Sequence, residues 1–208
     1  MNNSSVLKIT DVNSLSQDQL KQLIDGCIKN RRKSQEIIYQ MLFGKMAAVC
    51  RRYTNNDDRA KDILQDGFIK VFKNMEKFNF DGSFEGWVRR IVVNTAIDYV
   101  RKSKTDFLLA NEGKDVEDYH ESLYEEEEAE QPVEMTLEVG DVRKGMEELS
   151  TAYRTVFNLY VFENYSHQEI ADALNVSVGT SKSNLAKARA NLKKILTEEL
   201  EKRNGTEV

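Results

Sequence analysis

Apolar residues recur at steps of three and four along most of this chain, the spacing of helices that bury one face. Leu20, Leu23, Ile24 and Cys27 predict a first helix, opened by Ser16-Gln17-Asp18-Gln19 in capping-box order. Ile37, Ile38, Met41, Leu42, Met46 and Val49 predict a second. A third runs from about Asp57 through Ile63, Leu64, Phe68, Val71, Phe72 and Met75, with Asp57, Asp58 and Asp62 where the helix dipole favours acids. The turn-forming stretch KFNFDGS then interrupts the pattern, and Asp81 or Ser83 is placed to cap a fourth helix bearing Phe84, Trp87, Val88, Ile91, Val92, Thr95 and Tyr99.

The pattern resumes near Val139 with Val142, Met146 and Leu149, and Ser150 restarts a helix bearing Val156, Leu159, Tyr160 and Phe162. Ser166-His167-Gln168-Glu169 is a second capping box, directly before Ile170, Ala171 and Leu174. Asn175 stands where a left-handed C-cap is required, and Ser177 opens a last helix. Helix, four-residue turn, helix is a helix-turn-helix. The last helix places Val178, Ser181, Leu185, Ala188, Leu192 and Ile195 on its buried face and Gly179, Ser183, Ala186, Lys187 and Ala190 opposite, flanked by Lys182 and Asn184.

Composition narrows the class. The 208 residues hold 10 Gly and one Pro, too little turn chemistry for a sandwich or barrel, so an all-α fold is expected. Cys27 and Cys50 have neither a Cys-x-x-Cys partner nor a neighbouring His, and predict no zinc site and no disulfide. No nucleophile with its base, metal cluster or phosphate-binding Gly-rich loop stands out, so no cofactor and no enzymatic activity are expected. The N-terminus lacks a signal-peptide pattern and no window reaches the ~20 apolar residues of a membrane helix. A cytoplasmic protein without direct membrane insertion is expected.

The net charge of -5 conceals a strong asymmetry. Residues 1–105 hold 19 Lys+Arg against 12 Asp+Glu, residues 106–140 hold 1 against 13, and residues 141–208 are balanced at 10 each. The acidic middle, with its run from Glu125 to Glu128 and Pro132, reads as a flexible linker. The expected organisation is a tail at 1–16, a four-helix domain at 17–104, a linker at 105–138 and a helix-turn-helix domain at 139–203. Five basic and no acidic residues lie between Val176 and Leu196, as suits a helix entering a DNA major groove. The fourth helix carries Arg89, Arg90, Arg101, Lys102 and Lys104 beside a loop with Phe78, Phe80 and Phe84, a pairing suited to unstacked bases. Asn94, among Ile91, Val92 and Ile97, is a carboxamide that needs a partner such as a base edge.

Taken together, NNDDRAKDILQDGFIKVFKNMEKFNFDGSFEGWVRRIVVNTAIDYVRK resembles region two of bacterial extracytoplasmic-function sigma factors of the sigma-70 family, and LSTAYRTVFNLYVFENYSHQEIADALNVSVGTSKSNLAKARANLKK resembles their region four. The likeness covers about residues 17–104 and 139–197, in order. It implies a subunit that binds bacterial core RNA polymerase, recognises the -35 and -10 elements of promoter DNA and promotes duplex opening, and that is regulated by an anti-sigma factor. By the same resemblance, Asp62, Ile63, Gln65, Asp66, Ile69 and Lys70 would dock on polymerase. Phe78, Phe80, Ser83 and Asn94 would capture a flipped base of the -10 element, with Arg89, Arg90, Arg101 and Lys102 on phosphates. Thr180, Lys182, Ser183, Asn184, Lys187 and Arg189 would meet the -35 element. Three departures from the family pattern leave the sequence preference open: Ser181 stands where Val is usual, Asn184 where Arg is frequent, and Ala186 is small. Gly67 falls mid-helix, and the linker is either a charged partner of the polymerase channel or a tether. His167 and His120 are expected to be neither ligands nor bases. The rival expectations are a stand-alone helix-turn-helix regulator, and a helical adaptor without DNA contact.

Overall fold

The computed structural model describes residues 11–102 and 139–204, and no strand occurs among them. The all-α expectation holds; the acidic linker and His120 lie outside the described residues. Contacts divide the chain into residues 1–99 and 100–208. Unit one contains α1 (Gln17–Ile28), α2 (Arg32–Arg51), α3 (Asp57–Lys73) and α4 (Phe84–Lys102), whose last turn crosses the divide. Three of these four starts are closed by a side chain, and that of α2 is not. Ser16 and Gln19 form the full capping box of α1, Asn56 accepts from the Arg59 amide at 2.9 Å, and the hydroxyl of Ser83 accepts from the Gly86 amide at 3.3 Å. Ser83 therefore caps α4, while Asp81 accepts from the Asn79 amide group instead.

Ile24, Cys27, Ile38, Leu42, Met46, Tyr53, Ile63, Val71, Met75, Val88 and Val92 form the core of unit one. A Cβ added to Gly67 would lie 3.1 Å from Cγ2 of Val92, so the missing side chain lets α3 approach α4. At the surface Lys45 bridges α2 to Glu85 of α4 at 2.6 Å, and Lys70 of α3 meets Asp98 of α4 at 3.0 Å.

Unit two contains α5 (Val139–Glu148), α6 (Thr151–Phe157), α7 (His167–Leu174) and α8 (Val178–Asn204). The 27 residues of α8 make a helix of about 40 Å. Met146, Leu149, Ala188, Leu192 and Leu196 pack α5 onto the later turns of α8, and Asp141 pairs with Arg203 at 2.7 Å. α6 does not end cleanly but continues into a π turn over Asn158–Phe162, closed by the Glu163 amide donating to the Asn158 carbonyl at 3.2 Å. The wider turn changes the facing of the residues within it. Leu159 is buried, whereas Tyr160, Val161 and Phe162 are exposed, unlike the core positions expected for Tyr160 and Phe162.

Candidate functional site

The helix-turn-helix is built by two local devices. Ser166 and Glu169 close the start of α7 reciprocally, and Asn175 adopts φ 57° at its end, the left-handed conformation that Asn tolerates. The turn is three residues, Asn175 to Ser177, one fewer than the spacing predicted. Ser177 then accepts from the Thr180 amide at 2.9 Å and fixes the entry of α8. Ile170, Ala171 and Leu174 of α7 are buried, as are Leu185 and Ala188 of α8. Lys182 and Arg189 are exposed and Thr180, Ser183 and Lys187 are half-buried, so this face presents cations and small polar groups.

Asn184 departs from its expected place. It is only 4% exposed and its Nδ2 is buried without a hydrogen-bond partner, because residue 184 lies about 60° from Ser181 around the helix, on the side that meets the domain. Its side chain is therefore not on the exposed face of α8 where the sequence placed it. The imidazole of His167 joins α7 to α8, with Nδ1 2.9 Å from Oγ of the buried Ser181. Burial, and then the positive charges of Lys182 and Arg189, hold its pKa below the ordinary imidazole value.

In unit one, α4 is buried over most of its circumference and leaves a narrow exposed stripe with Arg90, Asn94 and Arg101. Asn94 thus stands in solvent rather than among Ile91, Val92 and Ile97. Sequence periodicity misplaced it because a nearly encircled helix has no clear polar side. Lys102 is also exposed, and Arg89 is half-buried.

The preceding loop displays one aromatic ring. Phe78 is 5% exposed and packs with Phe84 and Trp87 at centroid distances of 5.1 and 5.6 Å, so it is core and not a platform for bases. Phe80 rests on Phe78 at 5.0 Å but is 40% exposed. Its backbone adopts φ 64°, a conformation costing on the order of 1 kcal/mol for such a residue. The Asn79 amide donates to Asp81 at 2.6 Å and clasps the loop around it.

On another face of unit one, α2 and α3 enclose an open groove of about 310 Å³ lined by Tyr39, Phe43, Leu64, Gln65, Phe68 and Ile69 among others. Tyr39 packs edge-on against Phe68 at 4.7 Å and against Phe43 at 5.4 Å. Tyr39, Phe43 and Ile69 are exposed large hydrophobics. Asp62, Gln65 and Asp66 are exposed on α3, and Lys70 is tied to Asp98. Ile63 is 1% exposed and belongs to the core, one helical face away from the groove. The contribution of α2 was missed from the sequence. Its signal is the pair Tyr39 and Phe43, two aromatic residues four apart that fall off the buried stripe of Ile38, Leu42 and Met46.

Among the described residues no group of three or more His, Cys, Asp or Glu could hold a metal, and no helix is long and apolar enough to cross a membrane. Residues 38–105 match the Sigma-70 region 2 family model and residues 140–192 match Sigma-70, region 4. The ECF RNA polymerase sigma factor SigW of Bacillus subtilis (strain 168) is 31% identical over 157 residues, 73% of this chain and 83% of that protein. The RNA polymerase sigma-H factor of Pseudomonas aeruginosa is 25% identical over 186 residues, 88% and 96% of the two chains. A crystal structure of the sigma factor RpoE with the anti-sigma factor NepR from Bartonella quintana aligns at TM-score 0.46 and 21% identity, covering 78% of this chain and 96% of that one. A region-two unit followed by a region-four unit, with a relative of this closeness along most of its length, places the chain in the extracytoplasmic-function group of the sigma-70 family, the polymerase-binding factors that give transcription initiation its promoter specificity.

Proposed function

We propose that the two units divide the work of initiation at named surfaces. The groove of Tyr39, Phe43, Gln65 and Ile69, edged by Asp62 and Asp66, receives a helical element of core RNA polymerase. The observation that carries this assignment is the exposed aromatic shelf itself, which an amphipathic partner helix can cover. Phe80 stacks on an unpaired base of the -10 element. Asn94 reads its edge, and Arg90, Arg101 and Lys102 hold phosphates. Ser83 supports the loop as the cap of α4 rather than as a base contact.

In unit two, α8 enters the major groove of the -35 element. Lys182, Ser183 and Lys187 reach base edges, while Thr180 and Arg189 reach the backbone. The chain acts in the cytoplasm as a binding factor and not as a catalyst, and an anti-sigma factor that covers the groove or the basic faces silences it.

Co-elution of the purified protein with bacterial core polymerase on a sizing column tests the docking face. Stoichiometric co-elution is expected for the wild type, with loss in an Asp62→Ala, Gln65→Ala, Asp66→Ala triple variant. Undiminished co-elution of a folded triple variant would move docking off this face. For the -10 assignment, Phe80→Ala and Asn94→Ala holoenzymes are expected to open promoters poorly while still binding core polymerase. Equal loss of both properties would sink the base-capture role.

A further inference from the structure

Unit two carries an aromatic assembly that the division of work above leaves unused. The imidazole of His167 stacks on the ring of Tyr160, with centroids 4.7 Å apart and planes 27° from parallel. Cζ of Arg189 lies 5.9 Å from the centroid of the same Tyr160 ring. On its other edge His167 meets the buried hydroxyl of Ser181 at 2.9 Å. Three elements therefore converge on one ring pair: the π turn, the first residue of α7 and two turns of α8.

The convergence lies beside the basic flank of α8. At about 100° per residue, Lys182, Arg189 and Lys193 fall within about 40° of one another, between the seated face of Ser181 and the open face of Ser183. An arginine on an exposed helix ordinarily samples many rotamers. A cation held over an aromatic face is restrained in the rotamers it samples, while the planar fork of N–H donors of a guanidinium suits a phosphate oxygen. The seat is itself braced, because His167 is held both by the stack and by Ser181.

Resting on the assignment of unit two to the upstream element, we propose that Tyr160, braced by His167, is a positioning residue for promoter recognition: its ring holds the Arg189 guanidinium ready for a phosphate of the bound duplex. The hydroxyl of Tyr160 has no part in this, and only the ring face is required.

The test uses full-length protein assembled with core polymerase and a promoter duplex selected by that holoenzyme from a random library, with its upstream element intact or scrambled. Binding is measured across a salt series. Arg189→Ala is expected to weaken binding and to reduce the salt slope by about one, the signature of one lost phosphate contact. Tyr160→Leu keeps bulk and removes the π face, and should weaken binding about two- to fivefold, the size of an exposed cation–π contact. Tyr160→Phe should bind as the wild type, and Tyr160→Leu should add nothing in the Arg189→Ala background. Thermal melts check that each variant folds, with Tyr160→Gln in reserve if leucine does not. A Tyr160→Leu loss that persists undiminished beside Arg189→Ala, or a phenylalanine that fails to rescue, overturns the platform. Indifference of the wild-type holoenzyme to scrambling of the upstream element would overturn the assignment of unit two itself.

Discussion

Nδ1 of His167 and Oγ of Ser181 lie 2.9 Å apart, a polar pair that pins the first helix of the helix-turn-helix to the second. Ser181 is fully buried, so its hydroxyl would be an orphan without the imidazole. Ser181, which taken singly looks like a departure from the family pattern, becomes the partner of His167 in the fold.

Acid should loosen this pair. Burial, Lys182 and Arg189 depress the His167 pKa, so the unfolded chain binds the proton more readily than the fold does. The stability contributed by neutral His167 is therefore complete above the ordinary imidazole pKa of about 6.5 and is lost as pH falls below it toward the folded value. Melting temperatures at pH 7.5 and pH 5 should separate in the wild type, and the gap should shrink in His167→Gln. An unchanged gap would assign the acid sensitivity to other groups.

Overfilling the α3–α4 contact should be costly. A Cβ at residue 67 already approaches Val92 at 3.1 Å, so Gly67→Leu cannot be seated without moving α4. A loss of about 1–3 kcal/mol in urea unfolding is expected. Val92→Ala should recover part of it, because it clears the atom in conflict. A loss that Val92→Ala leaves untouched would point to a different cause.

Asn184 should matter for stability and not for promoter choice. Its buried Nδ2 lacks a partner, and leaving such a donor dry costs about 1–3 kcal/mol. Asn184→Leu, similar in volume, is expected to raise the stability of the protein by about 1 kcal/mol in chemical unfolding and to leave holoenzyme promoter preference unaltered. A change in preferred upstream sequence would return Asn184 to the DNA face.

The two thiols should be silent in the native state. Burial pushes Cys27 up to about 11 and Cys50 up to about 12, so the reactive thiolate is scarce at pH 8. Titration with a chromogenic disulfide reagent should find no rapid thiol in the folded protein and two in urea. Fast labelling of the native chain would contradict the burial of both residues.

What could be read before folding was local. The capping boxes at Ser16 and Ser166, the left-handed turn at Asn175 and the break before Phe84 were all legible, because each depends on hydrogen bonds or backbone preferences spanning only a few residues. Charge was legible as well, since the five-to-zero basic bias of α8 needs no coordinates. The groove was only half legible: Gln65 and Ile69 lie on the helix that carries the family motif, but Tyr39 and Phe43 join them from α2, some 25 residues earlier.

The sequence alone thus determined the helices, most of their ends and the two-part order, since short-range backbone chemistry and apolar spacing suffice for these, while the family came from the likeness of whole stretches to known proteins. Tertiary structure alone decided which candidates face outward. Ile63, Phe78 and Asn184 turn into the core while Asn94 and Phe80 reach solvent, because the direction of a side chain around a helix becomes meaningful only when neighbouring elements pack against it. The same holds for His167 and Ser181, fourteen residues apart in sequence and joined only after α7 and α8 have met.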